Sequence, residues 1–239
     1  HAYDALLPER VPMVFPALLR LLRASPDVAY LATRSALALA QAKKVDLVPV
    51  MSSFYVRASD PDYLARSKLR VLVCVSPSSH ASVLANELGA YAHAPSIPLA
   101  LDSVTALGLL ARRHGEVSEL CLQLLMDLAQ EATIPTLVLS RAVQITKALV
   151  RVSSPSMAAT IVTRFCLRLF VPLARRGRSL DAPKIRILTD PASRASVLWM
   201  LGQYAESKIT DTSLLVLLVP DVLRCLVAHW QKEHVQVQC

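Results

Sequence analysis

Glycine is scarce in this sequence, and the dipeptides typical of tight hairpin turns are missing. Only 5 of the 239 residues are glycine, well below the usual share of about 7%. Neither Asn-Gly nor Asp-Gly occurs, and these pairs are the strongest local signal for a β-hairpin. The sequence therefore gives little support to a fold built from hairpins.

Charged residues are also few, and no apolar run is long. Charged residues make up 18% of the chain and hydrophobic residues 54%, so enough apolar surface can be buried to exclude disorder over the whole length. Crossing a bilayer takes about 20 largely apolar residues in a row. The richest run, residues 214–219, ends at Pro220 and Asp221. We expect no transmembrane helix.

The short motifs of catalysis and cofactor binding are absent. There is no phosphate-binding glycine loop, no dinucleotide fingerprint and no Gly-x-Ser-x-Gly elbow. His229 and His234 are five residues apart, which is off one helical face, and no acid completes a metal site with them. We expect no catalytic residue, no cofactor and no metal, and hence a protein that is not an enzyme.

Cysteine usage indicates the redox compartment of the protein, and the net charge bears on the kinds of partner that it can bind. The five cysteines are odd in number and form no Cys-x-x-Cys; Cys74, Cys121 and Cys166 are predicted to be buried core thiols of a reducing compartment. The net charge of +8 has a simple explanation in Arg-rich solvated helix faces. The alternative is a basic surface facing anionic lipid or an acidic partner. No basic stretch is interleaved with aromatics, so nucleic acid is not an expected partner.

Helical periodicity is the dominant pattern that is present. After Gly115, apolar residues recur at three- and four-residue spacing and polar residues lie off that stripe. The pattern predicts an amphipathic helix with one buried face. The members of the stripe are Val117, Leu120, Cys121, Leu124, Leu125 and Leu128.

Helix-start signals recur at a near-constant interval. A capping side chain stands before proline at Ser25, Asp60 and Asp190. Comparable helices are predicted to begin about 35 residues apart, at Asp27, Asp62, Pro98 and Thr133, with the next at Pro191. Others are predicted at 79–92, 116–130 and 155–174. Two helices per period indicate an all-α, HEAT- or armadillo-like solenoid of antiparallel helix pairs.

A basic segment interrupts this interval. Arg175, Arg176 and Arg178 open a polar stretch within residues 175–190, which we interpret as a loop inserted between repeat helices. A solvated loop is the simplest interpretation. A contact site for phosphate or acidic groups is the alternative.

Two segments carry a family resemblance. The first consists of Phe54, Tyr55, Val56, Arg57, Asp60 and Pro61, and the second contains Trp199, Gly202, Tyr204 and Glu206. Both resemble the trunk of a β-adaptin, the large subunit of the heterotetrameric adaptor complexes. The first segment is most similar to the β subunit of the third adaptor complex. Because the chain begins with His1 and resembles only the middle of the trunk, we expect residues 1–239 to be part of a longer protein.

The resemblance implies a function for the whole protein. It implies a scaffold subunit of a vesicle-coat adaptor that holds a medium, a small and a second large subunit. Such a protein is cytoplasmic and peripheral on Golgi, endosomal and vesicle membranes, and sorts cargo toward lysosome-related organelles. A small GTPase and coat proteins are implied as partners through the full complex. The alternative is another helical-repeat scaffold, such as a nuclear-transport receptor or a phosphatase scaffold.

The motif residues also have structural interpretations. We expect Trp199 to be a core residue and Gly202 to let a neighbouring helix approach closely. Phe54 and the tyrosine after it are expected to hold the loop that enters the next helix pair. Arg57 is expected to form a local ion pair with Asp60.

Overall fold

The computed structural model describes residues 11–42, 47–131, 133–151, 155–169, 188, 190–205, 219–220, 222–224, 227, 230–232 and 234–238. In this part of the chain the regular structure is helical, and no β-strand occurs. The predicted all-α class is therefore confirmed. By its contacts the chain divides into two compact units, His1–Val117 and Ser118–Cys239.

The first unit is a stack of helices connected by short turns. It contains α1 Val11–Leu21, α2 Pro26–Gln41, a 3₁₀ helix Val48–Phe54, α3 Asp62–Val75, α4 Ser78–Tyr91, α5 Ile97–Arg113 and a second 3₁₀ helix Gly115–Val117. Helix α3 packs against both α2 and α5, and α4 packs against α5. Among the described residues, the element that follows α2 is the first 3₁₀ helix, which packs on α3.

The second unit continues the same pattern. It contains α6 Ser118–Gln130, α7 Thr136–Val150, α8 Pro155–Leu169, α9 Pro191–Ala205, a 3₁₀ helix Trp230–Lys232 and a short α10 Val235–Gln238. Helix α6 packs on α7, and α9 contacts α7, α8 and α10. The predicted helices at 79–92, 116–130 and 155–174 correspond to α4, α6 and α8.

Buried aliphatic side chains form the core of each unit. In α6, the predicted stripe is confirmed at Cys121, Leu125 and Leu128, which are at most 1% exposed. Of the other predicted core thiols, Cys74 is only partly buried, and the side chain of Cys166 lies outside the described residues. Burial raises the pKa of the Cys121 thiol to about 12, so this cysteine is neutral and unreactive at physiological pH.

Two of the predicted capping residues stand at helix N-termini, and one of them makes a side-chain bond. The Asp190 carboxylate accepts hydrogen bonds from the Ser193 backbone N–H at 2.9 Å and from the Ser193 hydroxyl at 2.6 Å, which satisfies the first turn of α9. Ser25 precedes Pro26 at the start of α2 but makes no side-chain capping bond. Ser96, which the sequence analysis did not single out, caps α5 through the Leu99 N–H at 3.4 Å.

The prediction that Asp60 caps α3 is wrong. The N-cap residue of α3 is Pro61, the helix begins at Asp62, and no side chain makes the capping bond. Pro61, in extended geometry with φ −61° and ψ 151°, stands between Asp60 and the helix, and Asp60 Oδ2 bonds to the Arg57 N–H and to Lys68 Nζ instead. Its carboxylate is used by other groups, described below.

No helix in the described ranges is long and apolar enough to span a bilayer. Within those ranges, no three His, Cys, Asp or Glu side chains come together in a way that could hold a metal ion. The predicted insertion at residues 175–190, with Arg175, Arg176 and Arg178, lies outside the described residues except for two positions near its end.

Candidate functional site

The first motif segment, residues 54–61, joins a 3₁₀ helix to the start of α3. Phe54 is the last residue of that 3₁₀ helix and is fully buried. Tyr55 follows it with partial exposure, and burial together with the nearby Glu87 carboxylate raises the pKa of its hydroxyl. Phe54 therefore fixes one end of the segment in the core of the first unit, while the next residue reaches the surface.

Backbone groups of the segment are held by side chains from elsewhere in the unit. The Val56 N–H donates to the Tyr91 hydroxyl, from α4, at 3.2 Å. The Arg57 N–H donates to Asp60 Oδ2 at 2.8 Å, and the Asp60 N–H donates back to the Arg57 carbonyl at 3.0 Å. These bonds satisfy a turn that has no regular secondary structure of its own.

A buried ion pair closes the turn. Lys68 Nζ on α3 lies 2.6 Å from Asp60 Oδ2, with the two side chains only 3% and 9% exposed. The prediction of an ion pair between Arg57 and Asp60 is wrong. Arg57 is exposed, and it bonds to Asp60 through its backbone N–H rather than through its guanidinium. Lys68 takes the role instead, since it stands two helical turns into α3 and points back over the turn.

Tyr91 is the most strongly perturbed side chain around this segment. Burial, followed by the Glu87 carboxylate, raises the pKa of its hydroxyl to about 12, against a smaller lowering by the bond from Val56. A neutral hydroxyl can accept from Val56 and still donate a proton. Tyr91 thus acts as a neutral structural group at every physiological pH.

The second motif segment lies on α9 and faces the end of α7. The Trp199 ring has Lys147 Nζ 4.8 Å and Arg151 Cζ 4.6 Å from its centroid, within the range of cation–π attraction. The expectation of a core tryptophan is wrong in one respect: Trp199 is partly exposed. Trp199 stands one residue off the apolar stripe of α9, so its ring lies at the edge of the buried face. The fully buried residues of that face include Val197 and Met200.

The other residues of the second motif have different roles. The Tyr204 hydroxyl donates to the Val150 carbonyl at 3.1 Å, which ties the end of α9 to the last residue of α7. Gly202 is exposed, and a Cβ there would meet no described atom within 4 Å. The close helix approach expected at Gly202 is therefore not observed among the described residues. Glu206 lies outside them.

Hydrogen bonds across one repeat length connect the helices of the first unit. Three pairs are separated by 36 residues each: Tyr63 to Asp27 at 2.8 Å, Arg66 to Asp102 at 2.7 Å, and Ser78 to His114 at 3.2 Å. Equivalent positions of successive repeats come together when helix pairs stack. The repeat period is therefore visible in the polar contacts as well as in the helix starts.

The exposed faces of α2, α3 and α5 form a groove with two compartments. The larger, here called the apolar cavity, has a volume of about 570 Å³. Its lining includes Leu37, Leu69, Arg70, Val73, Leu109 and Arg113. The smaller, here called the arginine notch, has a volume of about 160 Å³ and is lined by Tyr30, Arg34, Tyr63, Arg66, Ser67 and Arg70. Arg66 and Arg70 line both compartments.

This groove places charged groups beside apolar ones, as binding surfaces do. Its polar groups are guanidinium, hydroxyl, the Gln41 amide, the Cys74 thiol and one carboxylate, Asp102, which is already paired with Arg66. The sequence analysis missed the groove because its residues come from three helices. One signal was available: Arg66 and Asp102 are opposite charges placed one repeat apart.

Fold and surfaces together define an α-helical repeat protein, and comparison with known proteins places it more closely. Residues 6–239 match the family described as "Adaptin N terminal region". The chain belongs to this adaptin family. Its interpretation as a nuclear-transport receptor or a phosphatase scaffold is thereby set aside.

Relatives of the chain include β subunits of two adaptor complexes. It is 27% identical to mouse (Mus musculus) AP-1 complex subunit beta-1 over 191 residues, which is 80% of this chain. It is 26% identical to dog (Canis lupus familiaris) AP-3 complex subunit beta-1 over 223 residues, which is 93% of this chain. The chain spans only 18% of the length of each of these relatives.

A solved structure shows the same fold. The chain superimposes over its whole length on 36% of a chain in "Homology model of the full-length AP-3 complex in an intermediate open conformation", with a TM-score of 0.68. The sequence identity to that chain is 18%, so this likeness concerns the fold alone. The resemblance to a β-adaptin trunk predicted from the two motif segments is confirmed.

Proposed function

We propose that this chain is a section of the scaffold of a vesicle-coat adaptor β subunit, with no chemistry of its own. The observation that carries the proposal is the family match over residues 6–239, joined to relatives that are β subunits of the AP-1 and AP-3 complexes. Stacked helices present long surfaces that suit protein contacts. In the whole protein, the partners are a medium, a small and a second large subunit.

The third adaptor complex is the type that we assign. The alignment with the AP-3 relative covers 93% of the chain, against 80% for the AP-1 relative, at nearly equal identity. The segment with Phe54, Val56 and Arg57 supports the same choice. On this assignment the protein works on the cytoplasmic side of Golgi, endosomal and vesicle membranes and sorts cargo toward lysosome-related organelles.

Membrane attachment is assigned to the assembled complex rather than to this chain. Stable peripheral binding usually takes two membrane signals, and a small GTPase is proposed as the recruiting partner, together with coat proteins. Within the described residues, basic side chains occur on many different helices.

Affinity purification tests the proposal most directly. The full-length protein carrying this chain, expressed at its natural level, is expected to co-purify with one medium, one small and one second large adaptor subunit in equal amounts. Recovery of AP-3-type subunits supports the third complex, and recovery of AP-1-type subunits corrects the type. Recovery of no adaptor subunit would refute the scaffold role.

A further inference from the structure

Tyr63 is the most accessible tyrosine in the part of the chain that the structure describes. It is 43% exposed, whereas the other described tyrosines are partly buried. Tyr63 is the second residue of α3 and directly follows residues 55–61, which have no regular secondary structure. Because helix ends fray, an enzyme that modifies side chains can reach this position more readily than the middle of a helix.

The Tyr63 hydroxyl is bonded to α2. It donates to Asp27 Oδ1 at 2.8 Å, and this bond is the main reason why the pKa of the hydroxyl is raised. The Tyr63 ring meets the Tyr30 ring edge to face, with the centroids 5.5 Å apart. Asp27 is itself exposed, so its bond does not enclose the hydroxyl.

Three guanidinium groups line the arginine notch together with that ring. Arg66 and Arg70 follow Tyr63 at positions i+3 and i+7 of α3, and Arg34 comes from α2. Side chains of a helix lean toward its N-terminus, so the two arginines of α3 extend toward Tyr63. Arg34 is positioned by Tyr30, because it donates to the Tyr30 hydroxyl at 3.1 Å and lies over the ring, 5.9 Å from the centroid.

Two of these cations have no acid to balance them. Arg66 is paired with Asp102 at 2.7 Å and is also acted on by the nearby Asp62. Arg34 and Arg70, by contrast, form no ion pair with any residue that the structure describes. The notch therefore presents two guanidinium groups that lack a counter-charge within the described ranges.

A buried hydroxyl in the notch also lacks a partner. Ser67 is 5% exposed and lines the notch, yet its Oγ has no hydrogen-bond partner among the described residues. A buried hydroxyl without a partner is unfavourable. An anion with several acceptor oxygens in the notch would bond to this hydroxyl and to the two guanidinium groups.

We propose that Tyr63 is a phosphorylation site and that its phosphate turns into the arginine notch, where Arg34 and Arg70 bind it. In the reaction the phenol oxygen attacks the γ-phosphorus of ATP and the bond from that phosphorus to ADP breaks. The phenol proton passes to the catalytic base of the kinase. The inference does not depend on the coat function.

The added charge explains why the phosphate changes partner. A phosphotyrosine carries a charge of about −1.5 to −2 at pH 7, so it is repelled by the Asp27 carboxylate that holds the unmodified hydroxyl. Arg34 lies two helical turns beyond Asp27 on α2. Phosphorylation thus replaces one connection between α2 and α3 by another and neutralises the notch from within.

Kinase treatment of the full 239-residue chain tests the modification site. The chain is incubated with ATP and each of a set of recombinant tyrosine kinases, and peptide mapping by mass spectrometry locates the phosphate. We expect Tyr63 to be modified at least about tenfold faster than the partly buried Tyr30 and Tyr91, and Tyr63→Phe should remove the main product. If Tyr63 is left unmodified, or is modified no faster than Tyr91, the site is overturned.

Phosphorus NMR of the same chain tests where the phosphate binds. Phosphotyrosine is introduced at position 63 during translation, and its second ionisation is compared with that of a free phosphotyrosine peptide of residues 59–67. Two guanidinium neighbours should move this ionisation to a pH lower by about one or more. Arg34→Gln and Arg70→Gln should each reverse much of the change, whereas Arg112→Gln, at an exposed position outside the notch, should leave it.

Circular dichroism confirms that each variant is folded. A lowered ionisation that both notch variants reverse, and that Arg112→Gln does not, would support the proposal. A phosphate that titrates as in the free peptide, or that neither Arg34→Gln nor Arg70→Gln affects, would reject binding in the notch. A response to only one of the two variants would contradict the paired arrangement and assign the phosphate to a single arginine.

Discussion

Single side chains decide the geometry of the first motif segment. Asp60 accepts the Arg57 N–H and the Lys68 ammonium on one oxygen, and both side chains of the ion pair are nearly inaccessible. Desolvating two charges is unfavourable, so the pair contributes through what its loss would leave behind rather than through its own attraction. It specifies the conformation of the turn that leads into α3.

Replacing Lys68 by Met tests this role. The change leaves the Asp60 carboxylate buried without its counter-charge, and we expect the free energy of unfolding to fall by about 3 kcal/mol. Urea unfolding followed by circular dichroism measures the difference. The double variant Asp60→Asn with Lys68→Met should recover a large part of the loss, because it removes both charges.

Arg57→Ala provides the matched comparison for that experiment. Arg57 is exposed and contributes only its backbone N–H, so its truncation should change the free energy of unfolding by less than about 0.5 kcal/mol. If Arg57→Ala is as harmful as Lys68→Met, the guanidinium rather than the ammonium neutralises Asp60.

Alkaline pH should act on the first unit through Tyr91. The pKa of this hydroxyl is about 12 in the folded chain and about 10 in an unfolded one, so the folded state favours the neutral form. The stabilisation is complete below pH 10 and is lost as the pH rises from 10 toward 12. In rapid pH-jump absorbance measurements of tyrosinate, Tyr91→Phe should remove the component that titrates near pH 12.

At the scale of the helix, capping explains which start signals contribute to stability. Asp190 and Ser25 both precede proline, but only Asp190 bonds to the first turn of its helix. The difference is geometric, because a cap acts only if the side-chain oxygen turns back to the N–H groups two or three residues on. Helix α9 then holds to α7 through Trp199 and Tyr204 at its far end.

The two caps make a matched pair of substitutions. Asp190→Ala should lower the free energy of unfolding by about 1 kcal/mol, while Ser25→Ala should have an effect of only a few tenths of a kcal/mol. Thermal unfolding of both variants beside the parent checks the contrast. Equal losses at the two sites would show that the Ser25 hydroxyl forms a capping bond in solution.

At the scale of the whole molecule, the net charge of +8 bears on membrane binding. Basic residues attract anionic lipid by about 1 kcal/mol each when they lie near the surface, and the attraction falls off within a Debye length of about 8 Å at physiological salt. The attraction that a net charge gives is therefore expected to weaken as the salt concentration rises.

Liposome flotation tests that expectation. The chain alone should float with anionic vesicles at low salt and should stay unbound at physiological salt, and neutral vesicles should not bind it at either. Salt-resistant flotation would contradict the expectation. A variant with Arg175, Arg176 and Arg178 changed to Ala would then show whether the basic segment is the lipid contact.

The order and approximate bounds of the helices follow from the sequence because their causes are local. Apolar residues at three- and four-residue spacing and a proline at the first turn act within a few residues of the chain. For this reason the helix starts predicted at Asp62 and Pro191 are the observed ones. The family resemblance likewise rests on two contiguous segments.

Partners that come from a different repeat required the tertiary structure. Even within one repeat the choice of partner was not local: Asp60 stands three residues from Arg57 and eight from Lys68, yet it pairs with the lysine because both of their side chains are buried. Gly202 has the form of a packing glycine, but it faces outward. The groove exists only because stacking brings residues about one repeat apart, such as Arg66 and Asp102, into contact. Pairing at that distance depends on how whole helices pack, which no local pattern specifies.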